Sequence, residues 1–224
     1  MSAGRTIRVT GKGKLSVKPN TIRLIITQQS VEPDYEGAIR KSADEKNYLS
    51  RELQELGFEG AALKTLYFNV DTEYESFQAK DKSWKRRLVG YKYTHRMKLE
   101  FPADNEMLGK VLIKIARCPG EPEFTIEYTV ADKEAAKNEL LARAIEDSKL
   151  KAKVLSEAAG VKLLDIQSID YSWGEIDFVT RPVNDLMINA CCAAPGTVDE
   201  SIDLDIEADD IDITDTVTVV WEIM

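Results

Sequence analysis

The chain is 224 residues long and 43% hydrophobic, with 39 acids against 30 bases and a formal charge of −9. This is enough apolar material for a sizeable core in one or two small domains, which excludes wholesale disorder. Nine of the acids fall between Asp199 and Asp215 without one Lys or Arg, so the remaining 30 balance the 30 bases, leaving no cation surplus for general nucleic-acid binding.

In chain order, Ile7 to Val17 alternates loosely around Gly11 and Gly13 and reads as a strand with a bulge or bend at the glycines. Lys18-Pro19-Asn20 is a turn, and Thr21 to Val31 is a second strand with Ile22, Leu24 and Ile26 alternating. The two are expected to form an antiparallel hairpin. Pro33-Asp34 opens a helix to about Leu56, with Ile39, Ala43, Leu49, Leu53 and Leu56 at helical spacing and Gly57 as its stop. Leu63 to Phe77 and Arg87 to Phe101 are further strands, joined by a basic hairpin loop, Lys80 to Arg87. Asn105 to Ala116 is a short helix ended by Pro119-Gly120, and Glu123 to Val130 is a strand. Lys133 to Ala159 is the longest helix; its expected stripe is Leu141, Ala144/Ile145, Ser148, Ala152, Leu155 and Ala159, with Gly160 capping it. Leu164 to Phe178 reads as a strand, residues 180–200 as irregular, and Ser201 to Ile206 and Ile211 to Ile223 as closing strands.

A repeat emerges from this order. Residues 21–77 run strand, helix, Leu56-Gly57-Phe58, strand, with Tyr74 near the end; residues 123–178 run strand, helix, Ala159-Gly160-Val161, strand, with Tyr171 near the end. The expected fold is therefore α+β: an antiparallel-rich mixed sheet built from two strand–helix–strand repeats, continuous, with helices packed on one face. Residues 1–224 are expected to form a single domain.

Catalytic chemistry is sparse. The single histidine, His95, lies in a strand beside Arg96, where a structural role outweighs a triad role, and no G-x-S-x-G elbow accompanies it. Cys191-Cys192 is vicinal rather than C-x-x-C, and three cysteines make no disulfide framework. Gly11-Lys12-Gly13 leads into a strand and lacks the third glycine of a dinucleotide site. The Lys80–Arg87 loop mixes cations with Trp84, but a solvated tip whose tryptophan packs on the sheet edge is favoured over nucleic-acid stacking. Asp203 and Asp205 share one face of their expected strand and are a weak metal candidate; the EF-hand pattern fails, and a wet, charged strand face is the plainer reading. Glu73, Tyr74, Tyr91, Tyr93 and His95 cluster on two adjoining strands and are candidate ligand-binding residues beside the sheet. No cofactor is expected.

Several motifs together resemble the SIMPL-domain family, a domain of unknown function. They are Ile7-Arg8-Val9-Thr10-Gly11-Lys12-Gly13 followed by Ser16-Val17-Lys18-Pro19-Asn20-Thr21; Leu53, Leu56-Gly57-Phe58, Thr65, Tyr74 and Gly90-Tyr91; Ala144, Lys151-Ala152, Leu155, Ala158 and Gly160-Val161; and the ending Ile211 to Ile223. The likeness spans Ile7 to Ile223. It implies an α+β fold and a bacterial relationship. The family includes periplasmic and outer-membrane-associated immunogenic proteins and a kinase-binding animal adaptor. It has no established catalytic residues to carry over.

The expected function is thus non-catalytic: protein–protein interaction or self-assembly as a homo-oligomer, with neither nucleic acid nor a membrane span. The alternative is a small-ligand binder or an enzyme with a cleft beside the sheet. No apolar run approaches the roughly 18 residues of a span, and Met1 to Arg5 leads straight into a polar strand. The expected compartment is therefore the cytoplasm, or export if a leader has been removed.

Overall fold

The computed structural model describes residues 5–80, 82–171, 176–181 and 206–224. The chain folds as α+β, with three helices and antiparallel sheets among the described residues. It divides into two compact units, one made of Met1–Asn20, Thr129–Thr180 and Ala208–Met224, the other of Thr21–Tyr128 and Arg181–Glu207.

In the first unit, β1 (Thr6–Val17), β8 (Ile211–Ile223) and β6 (Leu163–Asp170) lie in the order β1-β8-β6, and α3 (Lys133–Ala158) packs on the sheet. A short β7 (Val179–Thr180) follows Phe178, whose carbonyl accepts from the Thr129 hydroxyl at 2.7 Å. β1 pairs with β8 without a register break from Thr6↔Glu222 to Val17↔Ile211. This corrects the expected β1–β2 hairpin and the expected bulge. Gly11 and Gly13 serve close approach instead. A Cβ on Gly11 would stand 2.0 Å from the Ala144 carbonyl oxygen, and one on Gly13 2.2 Å from that of Leu140. The helix therefore lies nearly on the strand backbone. The face it buries is Ala136, Leu140, Ala144, Ser148, Ala152 and Ser156, mostly small residues that permit the approach. Leu155, expected in the stripe, is 48% exposed. The core is completed by Val9, Leu15, Ile211, Ile213, Val217, Val219 and Trp221.

In the second unit, β3 (Lys64–Gln78), β4 (Trp84–Pro102), β2 (Thr21–Glu32) and β5 (Glu123–Thr129) lie side by side in that order. The strands thus divide between two sheets, where the sequence suggested one. α1 (Tyr35–Glu55) packs on β2 and β4, and α2 (Asn105–Ala116) packs on α1. Ile22, Leu24, Ile26, Met97 and Leu99 from the sheet are buried, as are Ala38, Leu49 and Leu53 of α1 and Leu108, Val111 and Ile115 of α2. The buried face of α1 also holds Ser42 and Glu45, while Ile39 is 40% exposed. The first half of the stripe is thus one residue away from its expected position, at Ala38 and Ser42 rather than Ile39 and Ala43, while Leu49 and Leu53 are buried as expected.

Each helix starts on an aspartate. Asp34, Asp104 and Asp132 accept from main-chain N–H groups two or three residues on, satisfying donors the first turn leaves open. α1 and α3 also stop alike. Phe58 N–H donates to Leu53 O and Val161 N–H to Ser156 O, with Gly57 and Gly160 at φ +91° and +68°. These are paired Schellman stops, and they account for the repeated Leu56-Gly57-Phe58 and Ala159-Gly160-Val161.

Candidate functional site

The odd-numbered positions of β4 between Tyr91 and Leu99 turn toward α1, because side chains alternate along a strand. This brings Tyr91, Tyr93 and His95 onto one face. Tyr93 is fully buried and donates to Glu45 Oε2 at 2.5 Å. Burial first, then that carboxylate, drives the phenol well above its usual range. His95 is also buried; its Nδ1 lies 3.0 Å from Ser42 Oγ and its Nε2 2.8 Å from Thr65 Oγ1. Desolvation, then the Lys46 ammonium, hold the imidazole below 6.5. Phe68 meets the His95 ring edge-on at 5.2 Å. Tyr91, half-buried, packs edge-on against Tyr35 at 5.8 Å.

Beside this row lie two groups that strand reading missed. Gln28 of β2, opposite His95 in register, is fully buried, and its amide has no hydrogen-bond partner among the described residues. Glu45 is 5% exposed, with Oε1 unpartnered. The signal for Ser42 and Glu45 was their place between Ala38 and Leu49 on the helix's inward face, which apolar counting skips. The row is a packed polar interior: hydroxyls hold His95, and a carboxylate holds Tyr93. It gives α1 a fixed register on the sheet.

The other two candidates lie elsewhere. β2 pairs with β4 only as far as Glu32↔Tyr91, so Trp84–Gly90 bonds to β3 alone. At that limit Gly90 passes so near Glu32 that a Cβ would sit 2.3 Å from its carbonyl oxygen. Beyond it the β3–β4 pair runs on as a two-stranded ribbon with a register break between Glu73 and Tyr74. Glu73 is half-buried at the break, and Tyr74 is out on the ribbon beneath the Arg86 guanidinium, 4.8 Å from its ring centre. The expected group of five therefore splits, three toward α1 and two at or beyond the break.

The ribbon has its own character. Tyr74, Phe77, Leu88 and Val89 are 41–47% exposed and Trp84 72%. The expectation that Trp84 packs on the sheet edge is thereby corrected: the turn is confined to Ala79–Ser83, and Trp84 to Arg87 belong to β4. Arg87 pairs with Glu75 and lies over Phe77.

Asp203, Asp205, Cys191 and Cys192 lie outside the described residues. Among the described residues, no three or more His, Cys, Asp or Glu side chains converge as metal ligands. Cys118 is buried, and its thiol is pushed up to about 11 by burial and by Glu52 and Glu45, which makes it a poor nucleophile. No helix among the described residues is long and apolar enough to cross a membrane.

Compared with known families, residues 7–221 match the family described as SIMPL, protein of unknown function (DUF541). No curated protein matches the chain.

Proposed function

The chain belongs to the SIMPL family, and from that premise we propose that it is a non-catalytic protein-binding module that associates with a second copy of itself through the β3–β4 ribbon. The observation that carries this is the set of large apolar side chains left open on a two-stranded element, Trp84 at 72% above all. A two-stranded ribbon is marginal by itself and gains from being covered. Tyrosine, tryptophan and arginine are also the residues that dominate interface energetics.

A second copy is the fitting occupant because the ribbon is self-complementary in charge. There β3 carries Glu73 and Glu75, while β4 carries Lys85, Arg86 and Arg87, of which Arg87 already meets Glu75 within the chain. A two-fold axis across the ribbon sets the acidic strand of one copy over the basic strand of the other.

Light scattering on the eluting protein is expected to give a mass above the 25.2 kDa of one chain. Trp84→Ser combined with Leu88→Ser should return it to that mass with the folded state retained, as read by far-UV circular dichroism. A monomer at all concentrations, with the ribbon aromatics still solvent-quenchable, overturns the reading. The alternative of a small-ligand binder draws on a different place in the same unit.

A further inference from the structure

The stop of α1 and the outer face of α2 enclose a cleft that nothing above uses. The Schellman turn at Gly57 lays Phe58 against Phe101, ring centres 5.6 Å apart and planes inclined at 68°. Leu56 and Met107 join them around a hollow of about 260 Å³. The same Leu56 and Met107 also line a second hollow of about 470 Å³, walled further by Glu55, Lys110, Ile113, Lys114 and Arg117. The two hollows therefore adjoin, largely apolar at one end and lined at the other by lysine–glutamate ion pairs and by Arg117. Together they have the size of small-ligand sites, an apolar bed with a few convergent polar groups.

The helix sets this pattern. Met107, Lys110, Lys114 and Arg117 recur at three- and four-residue intervals on one face of α2. Two of the cations are already neutralised: Lys110 Nζ sits 2.6 Å from Glu106, and Lys114 Nζ 2.8 Å from Glu52 and 2.6 Å from Glu55. Arg117 is exposed and has no carboxylate partner among the described residues. The C-terminal carbonyls of α2 repel an anion there, but a guanidinium that grips both oxygens of a carboxylate outweighs the partial charge of a helix end. Over the helical rise, Met107 to Arg117 spans ~15 Å, a gap that a medium-length extended acyl chain crosses when the Arg117 side chain reaches toward its carboxylate.

We propose that this cleft binds a single-chain carboxylate amphiphile, with its tail between Phe58, Phe101 and Met107 and its head on Arg117. It is independent of the ribbon, so its failure and that of the self-association reading are separable. The tail transfers apolar surface out of water, and the head gains a charge-assisted pair that a neutral or cationic head cannot make.

Decanoate, kept below its micellar range, is the probe, titrated into the full chain by calorimetry with methionine-methyl NMR in parallel. One saturable site is expected, with the Met107 methyl shifting most of the five methionines. Decylammonium should bind at least tenfold more weakly. Arg117→Gln and Met107→Ser, both at positions outside the core, should each weaken decanoate at least fivefold with an unchanged melting curve, and Trp84→Ser should bind like the parent. Absence of saturable binding, equal affinity for decylammonium, parental affinity in Arg117→Gln, or shifts confined to other methionines overturns the proposal.

Discussion

At the scale of single residues, the glycines of β1 decide how near the helix comes. Gly11 faces the Ala144 carbonyl, and a Cβ there would sit 2.0 Å away. Both groups are main chain, so neither can swing aside. Gly11→Ala is expected to destabilise the protein by about 3 kcal/mol, measured by urea unfolding, with amide protection falling first in β1, β8 and α3. A loss under about 0.5 kcal/mol would mean that the helix rides higher than described. His95 makes a second residue-level statement. Its imidazole is held below 6.5 by burial and Lys46, so the unfolded chain binds the proton more readily. Stability therefore rises with pH across that window, and it is lost as pH falls below 6.5 until the folded value is reached. As the chain has one histidine, the slope of unfolding free energy between about pH 6 and 7 is expected to come chiefly from this ring, the carboxylates held below their usual range, such as Glu32 and Glu100, adding to it only at lower pH. His95→Gln should flatten it; an unchanged slope would assign it elsewhere. In the sequence, the place of His95 on a strand was legible, while the glycines were misread. Both a bulge and a close approach ask for glycine, and only the helix position separates them.

At the scale of elements, starts and stops were legible because they rest on local chemistry. Asp34, Asp104 and Asp132 cap helices with their own side chains, and Gly57 and Gly160 end two of them through bonds spanning five residues. Faces were less legible. Apolar counting placed Leu155 in the core, yet the buried row passes through Ser148, Ala152 and Ser156, because a helix pressed onto glycines favours small residues along most of that row. Leu155→Gln is therefore expected to change stability by less than about 0.5 kcal/mol, where a core leucine would lose 2 kcal/mol or more; a thermal or urea midpoint decides. The same reasoning explains α1. Its inward row carries Ser42 and Glu45 because their partners, His95 and Tyr93, are polar residues presented by β4. In α1 the polar core positions are matched by polar residues on the opposing strand, and neither element reveals that alone.

For the whole molecule, the charge of −9 is concentrated in the nine acids from Asp199 to Asp215, with a neutral remainder. The last two of them, Asp212 and Asp215, belong to β8, where Asp215 accepts from the Tyr171 hydroxyl at 2.9 Å and so takes part in the packing of the first unit. The sequence by itself determined the α+β class, the order and bounds of most elements, the repeated helix stops and the family, because capping, periodicity and motif order are all set within a few residues of one another. The tertiary structure alone decided which strands pair. β1 reaches past its neighbour to β8, more than 190 residues away, and adjoining strands with compatible alternation cannot signal that choice. It alone split the five candidate residues, since a side chain's face follows from where β2 stops and where the ribbon's register breaks. It alone brought Phe58, Phe101 and Met107 together with Arg117, because their convergence depends on the packing of α1 against α2 rather than on any spacing along the chain.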